Sequence, residues 1–222
     1  SIAILKCPFP SDLSTHPSQT QHKKRSNNRS NNSPVMQQLL GWLALFIYVG
    51  VEVTIGSFIL NQGIDHYHIS AIHAGHCLAI YWLLLILGRL IGGYIISPQS
   101  EIWLLGTCAS ISVILVIIAM SAHGHVGIYA LTATGLFNSI LFPMLYSLGL
   151  ARYKDHTIQS SGIMASAISG GAVIPIITGY IADVESLSMS LIVCILCYFL
   201  ILAYSIYCFS KKKNKVLKMF WI

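Results

Sequence analysis

Residues 41–61 read Gly41-Trp-Leu-Ala-Leu-Phe-Ile-Tyr-Val-Gly-Val-Glu52-Val-Thr-Ile-Gly-Ser-Phe-Ile-Leu-Asn61, an apolar run of bilayer-spanning length with one carboxyl group near its middle. An ionisable side chain at that depth costs at least ~2.5 kcal/mol and by default marks a substrate, ion or proton path. The structural alternative is a protonated Glu52 among apolar neighbours, bonded to an adjacent helix. The rest of the chain matches the first run: of 222 residues 55% are hydrophobic and 9% charged, with a mean hydropathy of +0.71. That is too apolar for a soluble domain of this size and implies a lipid bilayer as solvent.

Spans of roughly 20 apolar residues recur after Met36. They are predicted at Leu39–Leu60, Cys77–Ile96, Ile102–Ala122, Val126–Leu150, Gly162–Ala182 and Leu187–Phe209. Strand-period alternation is absent, so the expected fold class is an all-α membrane protein with six transmembrane helices. Three regions follow: a disordered polar, basic leader over 1–35, or the residue of a loop between two halves; a six-helix bundle over 36–210; and a basic cytoplasmic tail over 211–222. Met36 is expected to start the functional protein.

The net charge of +6 does not point to nucleic acid, because the basic residues flank the spans instead of forming an aromatic-interleaved patch. Lys23, Lys24, Arg25 and Arg29 precede the first span, Arg89 ends the second, and Arg152 and Lys154 follow the fourth. Lys211, Lys212, Lys213, Lys215 and Lys218 follow the sixth, while the three alternate connections contain neither lysine nor arginine. By the positive-inside rule both termini are cytoplasmic.

Polar residues inside the spans are the candidate site. Tyr48 and Glu52 share a helical face, Asn61 and Gln62 close the outer end of the first span, and Thr134 and Asn138 repeat the four-residue spacing ahead of Pro143. Trp82, beside Tyr81, offers an indole for stacking. Together these suit a hydroxyl-rich, sugar-sized ligand. Interhelical hydrogen bonding by Asn138 and interfacial anchoring by Trp82 are the structural alternatives.

Small residues at Gly88, Gly92, Gly162, Ser166 and Gly170 suggest close helix contacts, and Pro143 and Pro175 suggest kinks. Cys194-x-x-Cys197 lies among apolar residues and is read as packing. His66, His68, His73, His76, His123 and His125 crowd the two outer connections and are read as interfacial groups or a pH-sensitive rim; no metal site is assigned. Ser160-Ser161 has no base at depth, so no enzymatic activity is expected.

The segments Tyr48–Asn61, Tyr81-Trp82 with Gly88-Arg89-Leu-Ile-Gly92, Gly135-Leu-Phe-Asn138 through Pro143, and Ser161-Gly162 through Pro175 resemble the major facilitator superfamily. More closely, they are similar to the seventh, eighth, tenth and eleventh helices of its fucose–galactose–glucose proton symporters. The resemblance implies the C-terminal six-helix half of such a transporter, in the plasma membrane (a bacterial inner membrane), working by alternating access with a monosaccharide as substrate and the proton as coupling ion. No other cofactor is implied. Glu52, Asn61 and Asn138 would face the central cavity, and Arg89 would belong to the cytoplasmic gating loop. One half supplies one wall, so a separate N-terminal half or a homodimer is the implied partner. The alternative is a truncated, inactive remnant or a structural membrane protein.

The topology is tested with Lys212→Cys in a chain whose native cysteines are replaced. An impermeant thiol reagent added outside intact cells is expected to leave it unlabelled; labelling from outside would reverse the orientation.

Overall fold

The computed structural model describes residues 33–95, 100–122, 124–150 and 157–220. Within them the chain forms α1 (Ser33–Asn61), α2 (Ala71–Ile95), α3 (Glu101–Ser121), α4 (His125–Leu150), α5 (Thr157–Ser166), α6 (Gly170–Val184) and α7 (Leu187–Phe220). Six segments are long and apolar enough to cross a membrane, with α5 and α6 together making one crossing over Gln159–Val184. The leader over 1–32, and Arg152 and Lys154, lie outside the described residues.

Several boundaries differ from expectation for local reasons. The second helix begins at Ala71, six residues before the predicted span, so His73 and His76 lie within it and not in a connection. Ser70 explains the early start: its Oγ accepts from the His73 backbone N–H at 3.4 Å, a long bond at the N-cap position. Beyond Asn61, a π-helical turn over Gln62–His66 prolongs α1 past its apolar residues. The α1–α2 and α3–α4 connections are then very short, and each uses a left-handed residue, His68 at φ 54° and Gly124 at φ 64°. The seventh helix does not stop at Phe209 but continues to Phe220, carrying the expected tail as helix; lysine favours helix, so nothing in the sequence breaks it.

The fifth crossing is interrupted by a 3₁₀ turn at Ala167–Ser169, several residues ahead of Pro175. Ser166 Oγ donates to the Ile163 carbonyl at 2.7 Å and Ser169 Oγ to the Ser166 carbonyl at 2.8 Å, both across the three-residue spacing of a 3₁₀ turn. Pro143 lies inside α4.

α1 and α4 sit at the centre. α1 packs on α4, α6 and α7, α4 packs on α2 and α3, and α3 closes against α7. In lipid, association rests on close packing and interhelical hydrogen bonds, so small residues mark the crossings. A Cβ on Gly170 would overlap the Phe46 carbonyl of α1, one on Gly50 would overlap Ile174 of α6, and one on Gly88 would overlap Ser139 of α4. Gly41 meets Gly149 in the same way, at 2.9 Å. Gly162, expected in a contact row, has nothing within 4 Å of the Cβ position.

Candidate functional site

The site is built from side chains that no single helix could bring together. Asn138, at the middle of α4, is fully buried. Its main-chain carbonyl accepts from the Tyr48 hydroxyl of α1 at 2.6 Å, and its Oδ1 accepts from the Tyr198 hydroxyl of α7 at 2.7 Å. The Ser112 hydroxyl of α3 approaches the same Oδ1 at 3.5 Å. The Asn138 Nδ2 is buried with no hydrogen bond in this arrangement. From α2, the Tyr81 hydroxyl donates to the Glu52 main-chain carbonyl at 2.8 Å. Three buried tyrosines and one asparagine therefore tie α1, α2, α4 and α7 at mid-depth. Each hydroxyl has an acceptor, as hydrocarbon surroundings demand.

Beside this node lies an ion pair. Arg89 Nη2 donates to Glu52 Oε1, joining α2 to α1. Two expectations are corrected. Arg89 is not in a loop but within α2, and its long side chain extends along the bundle to Glu52. Glu52 in turn is bonded to an adjacent helix, as in the structural alternative, but its partner there is an arginine. The guanidinium also lies 5.5 Å from the Phe142 ring centre, so its face is held by a cation–π contact. Phe142 stacks on Tyr146 at 6.1 Å and tilts against Tyr48 at 6.4 Å. The Glu52 side chain is 8% exposed and that of Arg89 46%, so the pair has a buried acid end and an open basic end.

The remaining expected residues divide. Trp82 is exposed and meets Tyr81 edge-on at 5.4 Å; a Cβ on Gly56 would lie 2.7 Å from its indole. Seven positions separate Trp82 from Arg89, two turns along one face of α2, and four separate Glu52 from Gly56 on α1, so these faces oppose one another. Asn61 is exposed, but nine positions from Glu52 put it about half a turn around α1, so the two are not brought together. Gln62 is buried and donates through Nε2 to the Leu187 carbonyl at 2.6 Å, fastening the end of α1 to the start of α7. Thr134 is buried and returns its hydroxyl to the Leu131 carbonyl at 2.6 Å. Asn138 lies inside the bundle and not on an open wall. Tyr81, Tyr198 and Ser112 were missed; the available signal was a tyrosine hydroxyl in an apolar span, which must find a partner.

At the end of the bundle where α2 and α4 begin, His73 Nε2 and the Tyr129 hydroxyl are 3.0 Å apart, and the His125 ring meets His73 edge-on at 5.2 Å. His123 lies outside the described residues. Tyr67 donates to the Ala119 carbonyl at 2.6 Å and packs on Gly127; burial pushes its phenol up to about 12.

Comparison with known proteins accords with this arrangement. No family model matches the chain. The chain is 36% identical over 170 residues to a glucose/galactose transporter of Brucella abortus, a match that covers 76% of this chain and 41% of the relative. It is 27% identical over 184 residues to the L-fucose-proton symporter of Escherichia coli, covering 82% and 42%. Among solved structures, the major facilitator transporter FucP in its outward conformation superposes with a TM-score of 0.72 at 25% identity, over 79% of this chain and 43% of that one. The bundle thus has the fold of a six-helix half of a major facilitator transporter, and its sequence relatives are transporters, not enzymes. The chain spans about two fifths of the length of the curated relatives it matches.

The ion pair is tested by a double-mutant cycle read by thermal unfolding in detergent. Arg89→Ala is expected to cost about 1–3 kcal/mol, less than the ~3–5 for a wholly buried pair because Arg89 is half open. Glu52→Gln combined with Arg89→Ala is expected to lose less than the sum of the two single changes. Strict additivity would show that the contact carries no coupling.

Proposed function

We propose that this chain acts as the C-terminal half of a proton-coupled hexose or 6-deoxyhexose transporter of the bacterial inner membrane. It works by alternating access against a first six-helix half, supplied by the same polypeptide or by a separate one. The observation that carries this proposal is the joint likeness in sequence and fold: glucose/galactose and fucose transporters on one side, a six-helix half on the other. Transporters of this kind rock two halves about a site between them.

In this proposal the opposed faces of α1 and α2 form the wall. Glu52 and the open end of Arg89 offer charged hydrogen-bonding groups, and Trp82 offers an apolar face to a sugar ring. Tyr48, Thr134 and Asn138 support that wall from behind, Gln62 closes its outer end, and Asn61 serves the outer mouth. Arg89 doubles as the gate, since any motion of α2 against α1 must break or carry its bond to Glu52. Releasing the guanidinium would leave Glu52 as the carboxylate able to take a proton. Both termini are cytoplasmic in this scheme, and neither a metal nor an organic cofactor takes part.

Coexpression with a first half from a hexose or fucose transporter tests the proposal. Expected are uptake of a labelled hexose or 6-deoxyhexose, its abolition by a proton uncoupler, and a drop of about tenfold in Glu52→Gln, the loss of a hydrogen bond to a charged group. Absence of uptake with every first half tried, despite correct insertion, would leave an inactive remnant as the explanation.

A further inference from the structure

We infer that the groove between α3 and α7 is a binding site for one anionic phospholipid, with an acyl chain along the groove and the headgroup phosphate on the lysines that follow Phe209. The groove encloses about 570 Å³ and is lined by Ile102, Trp103, Ile111, Leu202, Ile206 and Phe209, with Gly106, Thr107, Ser110 and Ser205 at its floor. It shares no lining residue with the Glu52–Arg89 pair.

The floor decides the chemistry of the occupant. Its three hydroxyls are already spent: Thr107 donates to the Leu104 carbonyl at 3.0 Å, Ser110 to the Gly106 carbonyl at 2.8 Å, and Ser205 to the Ile102 carbonyl at 2.9 Å. What they turn outward is methyl, methylene and glycine Cα surface. A sugar would find no free donors there, whereas a hydrocarbon chain loses nothing. Gly106 lets α3 and α7 close, since a Cβ there would stand 3.1 Å from Ser205 Oγ, and the groove opens outside that contact. The Trp103 indole, 70% exposed, lies at the same end of the groove as Phe209 and has the amphipathic form favoured at the membrane interface.

Charge selects the headgroup. Phe209, the last groove residue on α7, is followed by Ser210 and then Lys211-Lys212-Lys213, with Lys215 and Lys218 further along the same helix. Lys212 is three positions past Phe209 and so shares its side of the helix. Lys211 lies on the adjoining face, its ammonium 4.9 Å from the Tyr207 ring centre. Among the described residues at this end, Glu101 is buried next to Ser147 and Lys212. The sequence carries five lysines between 211 and 218, a basic run that attracts anionic headgroups over zwitterionic ones.

The test uses the whole chain in mild detergent, with native mass spectrometry counting bound lipid when phosphatidylglycerol and phosphatidylcholine of identical acyl chains compete. One phosphatidylglycerol per chain is expected, preferred about tenfold. Lys211→Gln with Lys212→Gln should bring that preference to within about twofold, and Ser110→Phe, which fills the groove, should remove the bound lipid altogether. Equal retention of the two lipids, an unchanged preference in the lysine variant, or a second copy of the chain in place of lipid would each overturn the inference. Lys211 is half-buried and Lys212 exposed, beyond the last groove residue, so their change to glutamine decides the matter even where Ser110→Phe does not fold.

Discussion

Asn138 is the constraint on which the bundle depends. A hydrocarbon solvent offers no hydrogen bonds, so every hydroxyl that a helix carries to mid-depth must be met by another helix. The Tyr48 and Tyr198 hydroxyls meet at the main-chain carbonyl and Oδ1 of Asn138, and the Tyr81 hydroxyl is met nearby by the Glu52 carbonyl. These three bonds specify which faces of α1, α2, α4 and α7 turn inward. They also hold the segment of α1 that carries Glu52 beside the segment of α2 that carries Arg89.

The glycines make that node reachable. Tyrosine bonds of 2.6 and 2.8 Å join α1 to α4 and α2 to α1, and glycines bring the same helices close, with Gly41 against Gly149 and Gly56 against Trp82. At α1–α4 and α1–α2 packing and polar bonding therefore act at the same crossings, which helps a membrane bundle hold together where apolar contact alone discriminates little. The Glu52–Arg89 pair differs in kind. One end is sealed and the other open, so it combines the cost of a buried charge with access for a ligand or a moving partner.

The crossings could be found from the sequence because hydropathy and length are summed over some twenty residues and survive local irregularity; the likeness of Tyr48–Asn61 and Gly135–Pro143 to a transporter family is carried by runs of similar length. Single contacts were another matter. Ser70 starts α2 six residues early through a cap, and the break at Ala167–Ser169 lies several residues ahead of Pro175. The pairing of Arg89 with Glu52 depends on the angle and register of two helices and on a side chain long enough to depart from its own position. Tyr198 gains its role only because its long side chain reaches Asn138 of α4 from α7, which itself packs on α1 and α3. Thr134 shows the converse, since a helical face shared with Asn138 promised a polar stripe and its hydroxyl bonds within its own helix.

The most direct measurement is the coupling free energy between Asn138 and Tyr198, obtained from the unfolding stabilities of Asn138→Ala, Tyr198→Phe and the double variant in detergent. A node that organises the bundle gives a coupling of about 0.5–1.5 kcal/mol, the range found for interhelical hydrogen bonds in membrane proteins. Additive losses, with no coupling between the two side chains, would contradict it.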